Sequence, residues 1–365
     1  MISSTYTLAF GPFTAAWRGP QRLVLTIGGD MVADVAYRAG YNERGCASRL
    51  PQLPLEQALH LVSRVCAASS HAHTMAFCQA LETLLERELS PRASRLRCAL
   101  AEIERLSAHL ATLTTLFAAL GQNQTHAHLQ HLTETSRHAM HHLSGARLIP
   151  DQCLPGGLRR NPTNEQCSET LDKLDHLREH LRVLFDQATN DSAFSARTVD
   201  TGTLARPAVE QFGLRGPLAR AAGVEFDTRL DEPYAAYPLL DVNRVVEENG
   251  DVHDRMVVLL LEAFESIRLV EHALDELPTD PPTRWEGSLP REIPAGAASS
   301  SVESPQGMLR YTLESDGRRL TSVAIDPPHQ LDRLLARALL AGTRLDNVTL
   351  IVLSMAPDMA CAECS

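Results

Sequence analysis

An α+β fold dominated by long helices is what the sequence predicts, and three observations carry that expectation. Apolar residues recur with helical period through the middle of the chain, short β-favouring runs cluster near the two ends, and glycine- and proline-rich stretches separate the helices. With 44% hydrophobic and 22% charged residues, the 365-residue chain has the composition of a soluble globular protein with a sizeable core. The expected body is a long-helix bundle with small β elements from both termini. We read it as one integrated domain in three segments: a β-hairpin region over 1–50, a helical bundle over 51–285, and a β/α segment over 286–365 that returns to the core.

The elements follow in order. Tyr6 to Phe10, Arg22 to Ile27 and Met31 to Tyr37 read as strands, with Gly28-Gly29-Asp30 as the turn between the last two. After Pro51 and Pro54 the period becomes helical, from Leu55 to Leu85, with a break near Ser69-Ser70. Ser90-Pro91 opens the clearest helix, serine as N-cap and proline in the first turn, and Leu96, Leu100, Ile103, Leu106 and Leu110 form its apolar stripe. Further helices are expected from His126 to Leu143, Glu165 to Asp186 and Asp251 to Glu276. The Pro-, Ala- and Ser-rich stretch from Pro278 to Ser304 reads as an exposed loop. Strands from Met308 to Leu313 and Leu320 to Ile325 flank an Asp316-Gly317 turn, a helix follows near Gln330 to Ala341, and Val348 to Ser354 reads as an apolar strand.

Several functions are argued against. A net charge of −11 offers no basic groove for nucleic acid. No run of about 20 apolar residues is present to span a bilayer, and the first residues lack the pattern of a secretory signal, so the chain is expected to be intracellular and soluble on its own. No Gly-x-Gly-x-x-Gly after a strand and no phosphate-binding Walker loop point to nicotinamide or ATP binding, and no ferredoxin-type cysteine cluster is present.

The sulfur pattern is the chemical clue. Cys361 and Cys364 stand at i and i+3 near the end of the sequence, and Cys66 follows Arg64-Val65 far upstream. Two such thiolates grip one soft metal, and a distant third completes the bite if the ends meet in space. His73 offers an imidazole nearby in sequence. Three thiolates with an imidazole or a water suit zinc or iron; the alternative is that the sulfurs lie together as inert buried thiols. Cys46, Cys78, Cys98, Cys153 and Cys167 lack partner spacing and are expected to pack in the core. The histidines between His126 and His142 form a polar helix face, with His138 and His142 spaced i,i+4 for a metal as the rival reading. Glu102, Arg105 and His109 share one helical face, as a proton relay or as a buried network fixing helix packing.

Read in order, these segments resemble the large subunit shared by complex I, where it is the 49-kDa or D-type chain, and the membrane-bound, group 4 [NiFe] hydrogenases. Gly40-Tyr41-Asn42-Glu43-Arg44-Gly45 is similar to a glycine-tyrosine-x-x-arginine-glycine segment, and Arg64-Val65-Cys66 with His73 to R-[IV]-C-G-x-C-x-x-x-H. Glu102, Arg105 and His109 match E-x-x-R-x-x-x-H. Gly156-Gly157, the segment Gly216 to Gly223, Asp231-Glu232-Pro233-Tyr234 with Tyr237, and Val302 to Gly307 follow at the family's intervals. The sequence departs from both branches: Ser69 stands where a fourth hydrogenase cysteine would, and Ala47 where a glutamate would. Thr14 and Arg18 replace the quinone-site histidines, Ala67 the quinone-site tyrosine, and Asp358, Met359 and Ala360 intrude where aspartate-proline would precede Cys361.

The resemblance implies an oxidoreductase subunit taking part in electron and proton transfer beside a small iron–sulfur protein of the B type that carries a [4Fe-4S] cluster. A 30-kDa protein of the C type and membrane-arm subunits would be its other partners, and its place the inner face of the cytoplasmic membrane, held peripherally. Cys66, Cys361 and Cys364 would hold a NiFe centre or another metal, zinc or iron, with Arg44 and His73 tuning charge around it. The alternative is a degenerate structural subunit of such a complex, with no intact NiFe or quinone site.

Overall fold

The computed structural model describes residues 5–14, 17, 19–189, 191–275, 277–279, 289–328, 331–356, 361 and 363. The chain opens with three antiparallel strands, β1 (Thr5–Phe10), β2 (Arg22–Gly28) and β3 (Met31–Arg38), in the order β1-β2-β3. Alternation along β2 buries Leu23, Leu25 and Ile27, and the turn at Gly29 needs its positive φ of 66°. Two short helices follow, α1 (Cys46–Arg49) and α2 (Leu55–Val62); the predicted break precedes α3 (Ser70–Leu84).

The bundle is built on α4 (Pro91–Ala119). Ser90 caps it as expected, its Oγ accepting from the Ala93 N–H at 3.2 Å. This helix packs against α5 (Asn123–Ser144) and, after a two-residue-strand hairpin β4 (Cys153–Leu154) and β5 (Gly157–Leu158), α5 packs against α6 (Asn164–Thr189). Four short helices, α7 (Ser192–Thr198), α8 (Arg206–Gln211), α9 (Pro217–Arg220) and α10 (Thr228–Asp231), lead to α11 (Val252–Asp275), which lies along α4. Glu276, the expected end of that helix, lies outside the described residues. No helix among the described residues is long and apolar enough to cross a membrane.

Two expectations are corrected. The stretch expected as loop up to Ser304 contains β6 (Gly296–Ser304), paired residue for residue with β7 (Gly307–Ser315), which in turn pairs with β8 (Leu320–Asp326). Its Ala- and Ser-rich composition lowers strand propensity, but β6 and β7 lie against α3, and packing on that helix overrides it. After α12 (Arg333–Leu340), Val348 to Ser354 is not a strand but helix α13, buried against α4 and α11. A short β-branched apolar run cannot by periodicity tell strand from buried helix.

The two ends do meet. Val32 donates to Thr343 O at 2.9 Å and Gly342 to Val32 O at 2.8 Å, so the turn after α12 lies along the edge of β3.

Candidate metal centre

The break between α2 and α3 presents Cys66, and the first turn of α3 presents His73. That helix has no side-chain cap of its own at Ser69. Its orphan amides are taken by Glu104 of α4, whose carboxylate accepts from His71 N–H at 2.6 Å and Ala72 N–H at 3.0 Å. The other end of the chain delivers Cys361. One ligand atom each from Cys66, His73 and Cys361 lies within 4.8 Å of the others, and all three residues are buried. His73 Nε2 is 3.3 Å from Cys361 Sγ, and its Nδ1 is 2.8 Å from the Tyr311 hydroxyl of β7.

Burial, then the Arg44 charge, push the His73 imidazolium down to about 3, so the ring is neutral at physiological pH. A neutral ring held at Nδ1 by a hydroxyl is oriented to offer Nε2 toward the sulfurs. Arg44 acts on the main chain. It donates to the carbonyls of Arg64, at 3.1 Å, and Val65, fixing the backbone immediately before Cys66. Arg64 instead reaches out, half exposed, to His60 O at 2.9 Å and toward Asp151 at 3.7 Å.

Ser69 is buried, and its hydroxyl donates to Gln306 Oε1 at 2.8 Å. Cys364, with Arg18, Asp358, Met359 and Ala360, lies outside the described residues. Cys46, Cys78, Cys98, Cys153 and Cys167 are buried free thiols. Burial pushes the thiols of Cys98 and Cys153 up to about 12 and about 11, which keeps them unreactive. His138 and His142 face their own acidic neighbours, Glu134 at 3.6 Å and Glu169 at 2.7 Å, as a polar helix face.

Glu102, Arg105 and His109 belong to a separate buried network. Arg105 donates to Glu102 at 3.1 Å and to the carbonyls of Ser304 and Glu303. His109 Nε2 lies 2.9 Å from Glu262, which also pairs with Arg220 at 2.8 Å; Arg220 holds Glu303 at 2.8 Å, and Arg229 bridges Glu102 and Asp227. Tyr237 donates to Glu102 at 2.6 Å. Sequence reading missed Tyr311, Gln306 and Glu363 near the sulfurs. Tyr311 had a signal in its inward register on β7; Glu363 had one as an acid enclosed by the terminal cysteine pair.

The comparisons agree with this architecture. A sequence model described as "Respiratory-chain NADH dehydrogenase, 49 Kd subunit" matches residues 120–288. The carbon monoxide-induced hydrogenase of Rhodospirillum rubrum is 31% identical over 363 residues, covering 99% of each chain. The D-type chain of the NADH-quinone oxidoreductase of Geobacillus thermodenitrificans is 28% identical over 348 residues, 94% of each. Among solved structures, a chain of the membrane-bound sulfane sulfur reductase, an archaeal respiratory membrane complex, superposes with a TM-score of 0.91 at 25% identity, covering 100% of this chain and 99% of that one. The fold, the shared motifs and full-length identity to such oxidoreductase subunits lead to one conclusion: the chain belongs to the family that unites the 49-kDa subunit of respiratory NADH dehydrogenase with the membrane-bound hydrogenases.

Proposed function

We propose that this chain is the site-bearing large subunit of a complex-I-like or group-4-hydrogenase-like membrane complex, in which Cys66, His73 and Cys361, joined by Cys364, hold one soft metal ion. The observation that carries this reading is the convergence of two buried thiols and a neutral imidazole from positions up to 295 residues apart in sequence. Soft sulfur and imidazole donors suit zinc or iron. A four-thiolate dinuclear nickel–iron set fits less well, because Ser69 offers a hard hydroxyl that is engaged with Gln306. When bound, such an ion supplies Lewis acidity or, as iron, one-electron chemistry. The residues themselves hold Nε2 toward the sulfurs, keep positive charge from Arg44 beside the ring, and exclude water from the centre.

Electrons would reach it through a small [4Fe-4S] protein, with a 30-kDa protein and membrane-arm subunits completing an assembly held peripherally at the inner face of the cytoplasmic membrane. The full-length match to a chain of a respiratory membrane complex supports this placement. A second reading, a structural subunit without an intact reaction centre, is favoured by Ala47 and Ser69 standing where the family resemblance places a glutamate and a cysteine.

Elemental analysis of the purified complex separates the two. About one zinc per chain, or one iron beyond the cluster iron of the small subunit, lost in Cys361→Ala, is expected. Nickel together with iron would restore the dinuclear alternative. No metal in the unaltered complex beyond that cluster iron, with turnover unchanged in Cys361→Ala, would establish the structural subunit instead.

A further inference from the structure

The acid enclosed by the terminal cysteine pair is tied down at the opposite end of the chain. Glu363 is buried, and its carboxylate accepts the main-chain N–H of Gly40 at 2.6 Å and of Asn42 at 2.5 Å, across more than 320 residues of sequence. Gly40 has a φ of 87°, so this turn takes a conformation that glycine adopts without strain, and its Gly40 and Asn42 amides, on either side of Tyr41, donate to the two oxygens of one carboxylate. Two residues further along the same segment, Arg44 holds the carbonyls of Arg64 and Val65. One five-residue stretch, 40–44, therefore grips the segment that carries Cys361 at one end and the segment that carries Cys66 at the other.

We infer that Glu363 is the positioning residue of the sulfur centre: through the Gly40–Asn42 amides it fixes where Cys361 stands relative to Cys66 and His73. The chemistry of the contact demands a carboxylate of this length. Glutamine has one acceptor oxygen and would aim its own N–H at a backbone N–H, and alanine offers no acceptor. Both amides would then lose a charge-assisted partner, and Glu363 would lose its tie to the 40–42 turn. Cys361 sits against His73, its Sγ 3.3 Å from the ring Nε2, two residues before the carboxylate that the Gly40 and Asn42 amides hold.

The test labels thiols in the purified complex with N-ethylmaleimide and locates the adduct by mass spectrometry, in the unaltered chain, Glu363→Gln and Glu363→Ala. Cys78 and Cys98, buried in α3 and α4, serve as internal controls for global unfolding. Cys361 is expected to label about tenfold faster or more in both variants, with both controls still protected. Cys361 remaining protected in both variants overturns the inference; so does labelling of all three thiols together, which would make Glu363 a general stability residue. A second arm loads Co2+ into the same complexes and reads the thiolate-to-cobalt absorption, which should weaken in Glu363→Gln; an unchanged band also overturns it. Only this second arm rests on the metal reading proposed above. If the unaltered complex takes up no cobalt, that reading fails while the labelling still decides the role of Glu363.

Discussion

Two buried polar regions lie side by side in this molecule and are built on opposite principles. The network around Glu102 sets four carboxylates, Glu102, Asp227, Glu262 and Glu303, against three guanidiniums, Arg105, Arg220 and Arg229, with His109 on Glu262. Burial pushes the Glu262 carboxyl up, yet Arg220 and His109 beside it hold it at about 2, and Asp227 is likewise held well below the carboxylate range against burial by Arg229 and Arg220. The sulfur centre brings together soft donors that carry lone pairs for a cation. In the first arrangement each carboxylate faces a guanidinium, whereas the second gathers soft sulfur and imidazole donors. On the metal reading proposed above, that difference separates scaffold from site better than sequence motifs do. Most of the motifs that carry the family resemblance, those containing Glu102, Arg220, Tyr237 and Glu303, end in the network and not among the sulfurs.

The largest effect is expected from breaking the network. Arg220→Met removes the group that faces Glu262, Glu303 and Asp227 at once and leaves their charge buried without it. A loss of about 3–5 kcal/mol is expected in denaturant unfolding. A change under about 1 kcal/mol would show that the network is not fully formed in the native protein, and the contrast with the sulfur centre would lose its basis.

How much of this was legible in sequence follows from the same contrast. Helix α4 could be read outright, because Ser90-Pro91 is a local capping signal and its stripe is periodic. The hairpin of β2 and β3 could be read because Gly29 and Asp30 mark its turn. The pairing of Cys66 with the chain's end was suggested by chemistry, since cysteines at i and i+3 near one terminus need a partner elsewhere. Helix α13 and strand β6 were misread because only packing against α4, α11 and α3 decides their conformation. The Glu104 cap on α3 and the Glu363 tie to Gly40 are contacts between segments distant in sequence, and neither leaves a periodic trace.

A smaller effect sharpens the other side of the comparison. Cys66 and Cys78 are both buried thiols, one in the sulfur centre and one in the core of α3. Truncating either to alanine should cost about 1 kcal/mol in packing. An ion held at about 100 times its dissociation constant adds about 2.7 kcal/mol to the folded state alone. A strong chelator should therefore lower the unfolding midpoint of the unaltered chain and of Cys78→Ala, and leave Cys66→Ala where it was. Equal responses from both variants would reduce the sulfur centre to ordinary core.

The smallest effect is a slope. Burial lowers the pKa of His71, against the pull of Glu104, and of His109, against the hydrogen bond and charge of Glu262. Both rings stay neutral in the folded chain, whereas unfolded histidine takes up a proton below about pH 6.5. The unfolded state then binds more protons, so their contribution is fully present above that pH and is lost as the solution is acidified. Glu104 works the other way: burial raises it to about 7, against the pull of His71 and the backbone amides, so its contribution is present below about pH 4.5 and lost as pH rises through 7. Between these limits three histidines, His73 with its pKa lowered to about 3 among them, oppose one glutamate, and melting temperature should fall as pH is taken from 6.5 toward 4.5. His109→Gln keeps a side-chain donor for Glu262 and removes one of the three titrating rings. It should melt close to the unaltered chain at pH 7.5 and show a shallower fall in acid; an unchanged slope would mean that His109 is already protonated in the native network, balancing its fourth carboxylate.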